Sequence, residues 1–201
     1  TLIGITLGVA VFVGMHTANL TVTRAFAQTV DRIAGKAQLQ VSAGETGFPE
    51  EALEKAQALT EVAAAAPVIE AVLNTGFKGQ GNLLVLGVDM TGDRSLREYD
   101  LEDDDVIDDP LIFLAQPDSI ILSRQFALAN AIARDQRITL QTMNGPRQFT
   151  VRGIMKAGGL ASAFGGNLAI MDIYAAQMVF GRGRLFDRLD IGIATHSTVE
   201  A

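Results

Sequence analysis

The sequence predicts an α+β fold attached to an apolar N-terminal helix. Three observations carry that expectation. The chain opens on Thr1 to Met15 without a charge, and no charged side chain appears before Arg24. Strand-like and helix-like patterns then alternate at both flanks of the chain. Its middle instead holds two alternating runs joined by Asn144-Gly145, a hairpin signal.

The apolar run is short of a full membrane crossing, at about 1.5 Å per helical residue against a hydrocarbon core of about 30 Å. It reads either as the second half of a transmembrane helix or as a signal-peptide core. Leu2, Ile3, Ile5, Leu7, Val9, Val11, Phe12 and Val13 are its membrane-embedded candidates. Gly4-xxx-Gly8 and Ala10-xxx-Gly14 offer a face on which another helix can pack closely. From Ala18 to Ala34 the pattern becomes amphipathic, with Val22, Phe26, Val30 and Ile33 on one stripe and Arg24, Gln28, Asp31 and Arg32 between them. No Pro or Gly separates the two stretches, so the pattern predicts one long helix, ended by Gly35.

Lys36 to Ala43 alternates, with Leu39, Val41 and Ala43 opposite Gln38, Gln40 and Ser42, as in a half-buried strand. Pro49-Glu50-Glu51 starts a helix, since proline suits the first turn and acids suit the helix dipole. That helix carries Leu53, Ala56, Leu59 and Val62 and stops before Pro67. Val68 to Thr75 is a second strand, and Asn82 to Val88 a third. A strand–helix–strand unit of this length allows a crossover.

Ser119 to Ser123 is a short strand running into a helix over Arg124 to Arg134. Arg137 to Thr142 and Arg147 to Ile154 form the hairpin. Lys156 to Asn167 is glycine-rich and reads as a mobile loop presenting Leu160 and Phe164. Leu168 to Asp172 is a strand, Ile173 to Gly181 a short helix and Phe186 to Ala194 a final strand.

Composition removes several function classes. The chain of 201 residues is 48% hydrophobic and 19% charged, a folded rather than a disordered composition. A formal net charge of −7 and the absence of a basic, aromatic-interleaved patch set nucleic-acid binding aside. Cysteine is absent, which excludes disulfides, thiolate metal sites and a cysteine nucleophile. Glu98, Asp100, Glu102, Asp103, Asp104, Asp105, Asp108 and Asp109 form an acidic run, but it lacks the glycine and closing Glu of a calcium loop. It reads as a solvated or partner-facing segment. His16 and His196 belong to no ligand-spaced cluster. Gly158-Gly159 and Gly165-Gly166 do not follow a phosphate-loop order. Ser123 lacks a nucleophile elbow and reads as a helix cap. No catalytic, metal or cofactor-binding residue is predicted.

The order of these parts resembles the FtsX/MacB-like permeases of bacterial ABC transporters, in their extracytoplasmic domain. The likeness rests on Gly4-Ile5-Thr6-Leu7-Gly8-Val9-Ala10-Val11 flowing into an amphipathic helix, on Leu39-Gln40-Val41, and on Pro67-Val68-Ile69-Glu70-Ala71. It continues through Leu86-Gly87-Val88-Asp89, Ile120-Ile121-Leu122-Ser123, Ile138-Thr139-Leu140, Phe149-Thr150-Val151-Arg152-Gly153-Ile154 and Arg188-Leu189-Asp190-Ile191. One turn departs from it: Asp135-Gln136-Arg137 stands where the family often has Gly-Asp.

The resemblance implies a membrane-proximal α/β subdomain from both chain ends, residues 36–90 and 158–201, and a smaller β-rich insertion, residues 91–157. Residues 1–34 would be the end of a first transmembrane helix running into the amphipathic helix. The implied role is non-enzymatic, in the inner membrane and facing the periplasm or cell exterior. The implied partners are an ABC ATPase subunit reached through the membrane part, a second permease copy or paralogue, and an envelope adaptor, lipoprotein or lipid substrate. Val22, Phe26, Val30 and Ile33 would then pass motion outward. It also implies three further hydrophobic spans of about 20 residues after Ala201. The alternative is a free secreted or periplasmic binding protein with a residual signal sequence.

Overall fold

A computed structural model describes residues 37–77, 81–90, 113, 116–156, 161–162 and 164–194. Ten strands and three α-helices are seen among them: β1 (Leu39–Ser42), β2 (Phe48–Pro49), α1 (Glu51–Gln57), β3 (Val62–Asn74), β4 (Asn82–Val88), β5 (Ser119–Ser123), α2 (Arg124–Ala129), β6 (Arg137–Thr142), β7 (Gly145–Met155), β8 (Leu168–Asp172), α3 (Ile173–Phe180), β9 (Leu185–Phe186) and β10 (Arg188–Ile193). Eight strands form one mixed sheet in the order β1-β10-β3-β4-β8-β5-β7-β6, while β2 and β9 form a small ribbon. The fold is thus α+β, a large sheet with few helices.

The long strand β3 is the spine. It pairs antiparallel with β10 on one side and β4 on the other, and its last residue, Asn74, also meets Gln141 of β6. The sheet therefore curls until its far edge returns to β3, as the twist of strands favours. The strands β5, β6 and β7 continue this same sheet, through β5 beside β8.

The central strands are buried on both faces. One face of β4, β5 and β8 carries Leu83, Val85, Ile120, Leu122, Ala169 and Met171 into a core shared with α2 and α3. The other face carries Leu86, Val88, Ile121, Leu168 and Ile170 against Phe113, Ala161, Met90 and Phe164. Continuous apolar runs such as Ile120-Ile121-Leu122 follow from this two-sided burial. Each such side chain contributes about 1.5–3 kcal/mol. Where α3 crosses β4 the helix lies so close that a Cβ on Gly87 would stand 2.3 Å from the Ala176 Cβ.

Several local expectations hold. The β6–β7 hairpin forms, although it turns at Met143-Asn144, one residue before the expected Asn144-Gly145, with Gly145 at φ +102° opening β7. The helix α3 lies where it was expected, with Gly181 as its left-handed cap. Ser123 caps α2 by accepting from the Phe126 N–H, and its own hydroxyl donates to the Gly166 carbonyl.

Four expectations need correction. The first helix ends at Gln57, and Val62–Pro67 belongs to β3 instead of extending the helix or preceding the strand. Four consecutive alanines favour a helix locally, but here they lie against β10, Ala65 opposite Ile191 and Ala64 opposite Gly192. Pairing outweighs propensity, and Pro67 is tolerated because the ladder with β4 begins one residue later, at Val68. The strand β1 is exposed throughout, Leu39 at 40% and Val41 at 49%, because it is the edge of the sheet with β10 as its neighbour. The helix α2 stops at Ala129, since Ala131 takes a left-handed φ of 51° and the Ile132 N–H bonds back to the Ala127 carbonyl, turning Ile132 into the core. Phe164 is not presented outward but packs against the second core cluster.

Candidate functional site at the paired strand ends

Strand β1 leads the described chain in and β10 leads it out, and the two are antiparallel neighbours. Leu39 lies opposite Ile191, so entry and exit share one corner of the sheet. The Gln38 side chain fastens that corner. Its backbone N–H donates to the Ile191 carbonyl at 2.9 Å, and its Oε1 accepts from the Ile193 N–H at 2.6 Å. On the other side the Ala194 N–H donates to the Glu61 carbonyl at 2.8 Å, tying the exit to the start of β3. A displacement of either chain end must therefore pull on the other and on β3.

Behind the corner, β10 has two chemically different faces. Leu189 and Ile191 pack with Ala56 under α1. Arg188 and Asp190 project oppositely, on the face shared with their cross-strand partners Val68 and Ala66. Arg188 pairs with Glu70 of β3, and its Nε lies 3.0 Å from Asp190 Oδ1, near enough for an ion pair though not aligned as a hydrogen bond. The neighbouring Asp187 carboxylate bridges strands. Its Oδ2 accepts from the Glu70 N–H at 2.9 Å, and its Oδ1 lies 3.2 Å from an Arg182 nitrogen. Asp187 and Asp190 are both buried, so the arginines keep their charges compensated.

A second bracket joins α1 to the α3–β9 turn. Glu50 accepts from Arg184 Nε at 2.7 Å and Gln177 Nε2 at 3.1 Å. The Arg184 hydrogen bond, then that of Gln177, holds the Glu50 carboxyl below its ordinary range. Asp172 caps α3 by accepting from the Tyr174 and Ala175 N–H groups. Burial pushes its pKa up, opposed by those two hydrogen bonds and helped by the Asp89 charge.

These groups are ion pairs and caps, and they contain no nucleophile–base pair. Among the described residues no cluster of three or more potential metal ligands occurs, and no helix is long and apolar enough to cross a membrane. The membrane-embedded candidates from Leu2 to Val13, the stripe Val22, Phe26, Val30 and Ile33, the acidic run from Glu98 to Asp109, Leu160 and both histidines lie outside the described residues. The ion-pair corner was not among the residues the sequence singled out. Its signal was present: Arg188, Asp190 and Glu70 are charges set inside otherwise apolar strand patterns, where a charge needs a partner.

The family described as MacB-like periplasmic core domain matches residues 1–200. No curated protein sequence matches. Among solved structures, the extracellular domain of the noncanonic ABC-type transporter YknZ from Gram-positive bacteria is similar, with a TM-score of 0.53 and 14% identity over 77% of each chain. The periplasmic region of MacB from Actinobacillus actinomycetemcomitans aligns at a TM-score of 0.47 and 12% identity, over 79% of this chain and 68% of that one.

Proposed function

The chain belongs to the family of MacB-like periplasmic core domains, and on that basis we propose that it is the extracytoplasmic domain of an ABC transporter permease, coupling cytoplasmic ATP hydrolysis to the handling of a substrate or partner in the cell envelope. The domain itself is non-enzymatic in this reading. Hydrolysis belongs to an ATPase subunit reached through the membrane part. A second permease copy or a paralogue completes the transporter, and an envelope adaptor, a lipoprotein or a lipid meets the outer domain. Residues 36–90 and 158–201 form the membrane-proximal unit and 91–157 the inserted one, although strands of both share a sheet.

The observation that supports this reading is the shared corner of β1 and β10, held by Gln38. A domain set between two moving helices needs its entry and exit strands side by side, so that a relative shift of the helices strains one joint. The stripe Val22, Phe26, Val30 and Ile33 would bring the motion to that joint from the N-terminal side.

The test uses the full-length permease with its ATPase in vesicles. A flexible Gly-Ser insertion between Lys36 and Ala37 breaks the mechanical connection and leaves the sheet intact. ATP hydrolysis is expected to persist while transport is lost. Unchanged transport overturns the coupling role, as does unchanged transport in Phe26→Asp or Val30→Asp.

A further inference from the structure

The chain holds six asparagines, and one of them, Asn144, is followed by glycine. It sits exposed at the tip of the β6–β7 hairpin, between Met143, which is 96% exposed, and Gly145 at φ +102°. Thr142, opposite Gly145 in the ladder, closes the turn. Its Oγ1 accepts from the Asn144 N–H at 3.2 Å and donates to the Gly145 carbonyl at 2.7 Å. One hydroxyl thus brackets the Asn144–Gly145 peptide from both ends.

The side-chain amide carbon of an asparagine is an electrophile within reach of the next residue's backbone nitrogen, and their union closes a small, nearly unstrained ring. A side chain on that next residue crowds the attack, and glycine removes the obstacle. The other asparagines lack this opening. Asn19, Asn82 and Asn167 precede leucine, Asn74 precedes Thr75 and Asn130 precedes Ala131. Asn74 and Asn82 are also fixed opposite each other in the β3–β4 ladder, and the Asn130 amide donates to the Phe126 carbonyl at 2.9 Å. Neighbour, exposure and turn therefore coincide at Asn144.

We propose that Asn144 is a site of intramolecular modification, at which the amide converts to aspartate and isoaspartate, with the Thr142 hydroxyl as the clasp that sets the rate. The Gly145 nitrogen attacks Asn144 Cγ and forms a C–N bond. The Cγ–Nδ2 bond breaks, and ammonia leaves with the proton that Gly145 gives up. Water then opens the succinimide. Cleavage at Cγ restores the backbone as aspartate, and cleavage at the main-chain carbonyl carbon leaves isoaspartate; no electrons are gained or lost. The clasp restrains the peptide rotation that the attack needs. The product lies against α3, because the Asn144 amide nitrogen stands 3.5 Å from where a Cβ on Gly181 would be, and Arg147 of the same hairpin approaches the Val179 carbonyl at 3.5 Å. Conversion puts a carboxylate at the negative end of that helix, where an anion is disfavoured, and loosens the hairpin tip from it. The site rests on the hairpin alone and is independent of the transport role.

The test ages the full chain in detergent, in warm and mildly alkaline buffer, beside a second sample unfolded in urea. Peptide mapping by mass spectrometry follows each asparagine, and released ammonia is assayed in parallel. A one-dalton mass gain confined to the Asn144 peptide is expected in the folded sample, with isoaspartate among the products and a rate that rises with pH. Asn144→Gln keeps an exposed amide and is expected to remove both the mass gain and the ammonia. Thr142→Val loses the clasp and is expected to speed conversion toward the urea rate. The Gly181 N–H, which donates to the Gln177 carbonyl, is expected to exchange hydrogen faster in the aged chain and in Asn144→Asp than in the fresh chain. The proposal is overturned if Asn144 keeps its amide in the folded chain while the urea sample converts, if another asparagine converts first, or if Thr142→Val leaves the rate unchanged.

Discussion

The two halves of β3 are one strand under two regimes. From Val68 to Asn74 it pairs with β4 throughout, meeting β10 at Val68 and β6 at Asn74, with Val68, Ile69 and Leu73 sunk in core clusters. From Val62 to Pro67 its strand partner among the described residues is β10, with a bulge at Ala63, alanine side chains, α1 over one face and the Arg188–Asp190 pair on the other. The first half is held by apolar burial, which is insensitive to salt and tolerates little change. The second is held by pairing and charge at a place where the chain enters and leaves. A strand can thus be rigid at one end and adaptable at the other, and the adaptable end is the one beside β10, which also pairs with β1.

The largest expected difference between the halves is in truncation. Ile69→Ala removes a side chain with no exposed surface and is expected to cost about 3–4 kcal/mol. Ala63→Ser, in the other half, should change stability by less than about 0.5 kcal/mol. Urea unfolding of the detergent-solubilised chain measures both, and equal losses would show that the halves are not mechanically distinct.

Next comes the charge pair. Arg188→Leu takes a compensating charge away from the buried Asp190 carboxylate and is expected to cost about 2–3 kcal/mol, below the value for a fully buried pair because Glu70 and Arg188 keep some solvent contact. The double variant Arg188→Leu with Asp190→Leu should recover most of that loss. If it does not, the alanine half depends on more than compensated charge.

What the residues disclosed follows the same division. Strands of the double-sided core were legible because Val, Ile and Leu in runs or alternation leave little else to build: Leu168 to Asp172 and Asn82 to Val88 fall where their patterns place them, and the hairpin turns within one residue of Asn144-Gly145. The alanine half was illegible, because alanine has the best intrinsic helix propensity and carries no strand signature. Its strand state is imposed by β10, over 120 residues further along, and no local pattern reports such a pairing. The ion-pair corner was hidden for the same reason, since Glu70 and Arg188 meet only once β3 and β10 do. Exposure of β1 was missed because period-two alternation gives the faces of a strand and not whether a face is covered.

A smaller effect separates α3 from the strands it caps. Asp172→Ala removes the acceptor for the Tyr174 and Ala175 N–H groups and is expected to cost about 1 kcal/mol at neutral pH. The pH dependence carries the opposite sign to most carboxylates. Burial raises the Asp172 pKa above 3.8, so the folded state holds its proton more tightly than the unfolded one. The associated stability is present below about the unfolded value and is lost as pH rises through the folded pKa. Asp172→Asn should flatten that part of the stability–pH curve.

The smallest expected effect is at Glu50, and it tests whether α1 is clamped or merely resting on the alanine half. Hydrogen bonds from Arg184 and Gln177 hold the Glu50 carboxyl below 4.5, so the folded state releases its proton more readily than the unfolded one. That contribution is present above pH 4.5 and disappears as pH falls through the folded pKa. Glu50→Gln should therefore leave the unfolding midpoint at pH 7 almost unchanged, as expected of a solvent-screened pair, while moving the acid limb to a shallower slope. A clear loss at pH 7 would mean that the Glu50 bracket, and not packing of Leu53 and Ala56 on Leu189 and Ile191, keeps α1 on the sheet. The adaptable half of β3 would then be secured from α3, through Gln177, instead of from its own apolar face.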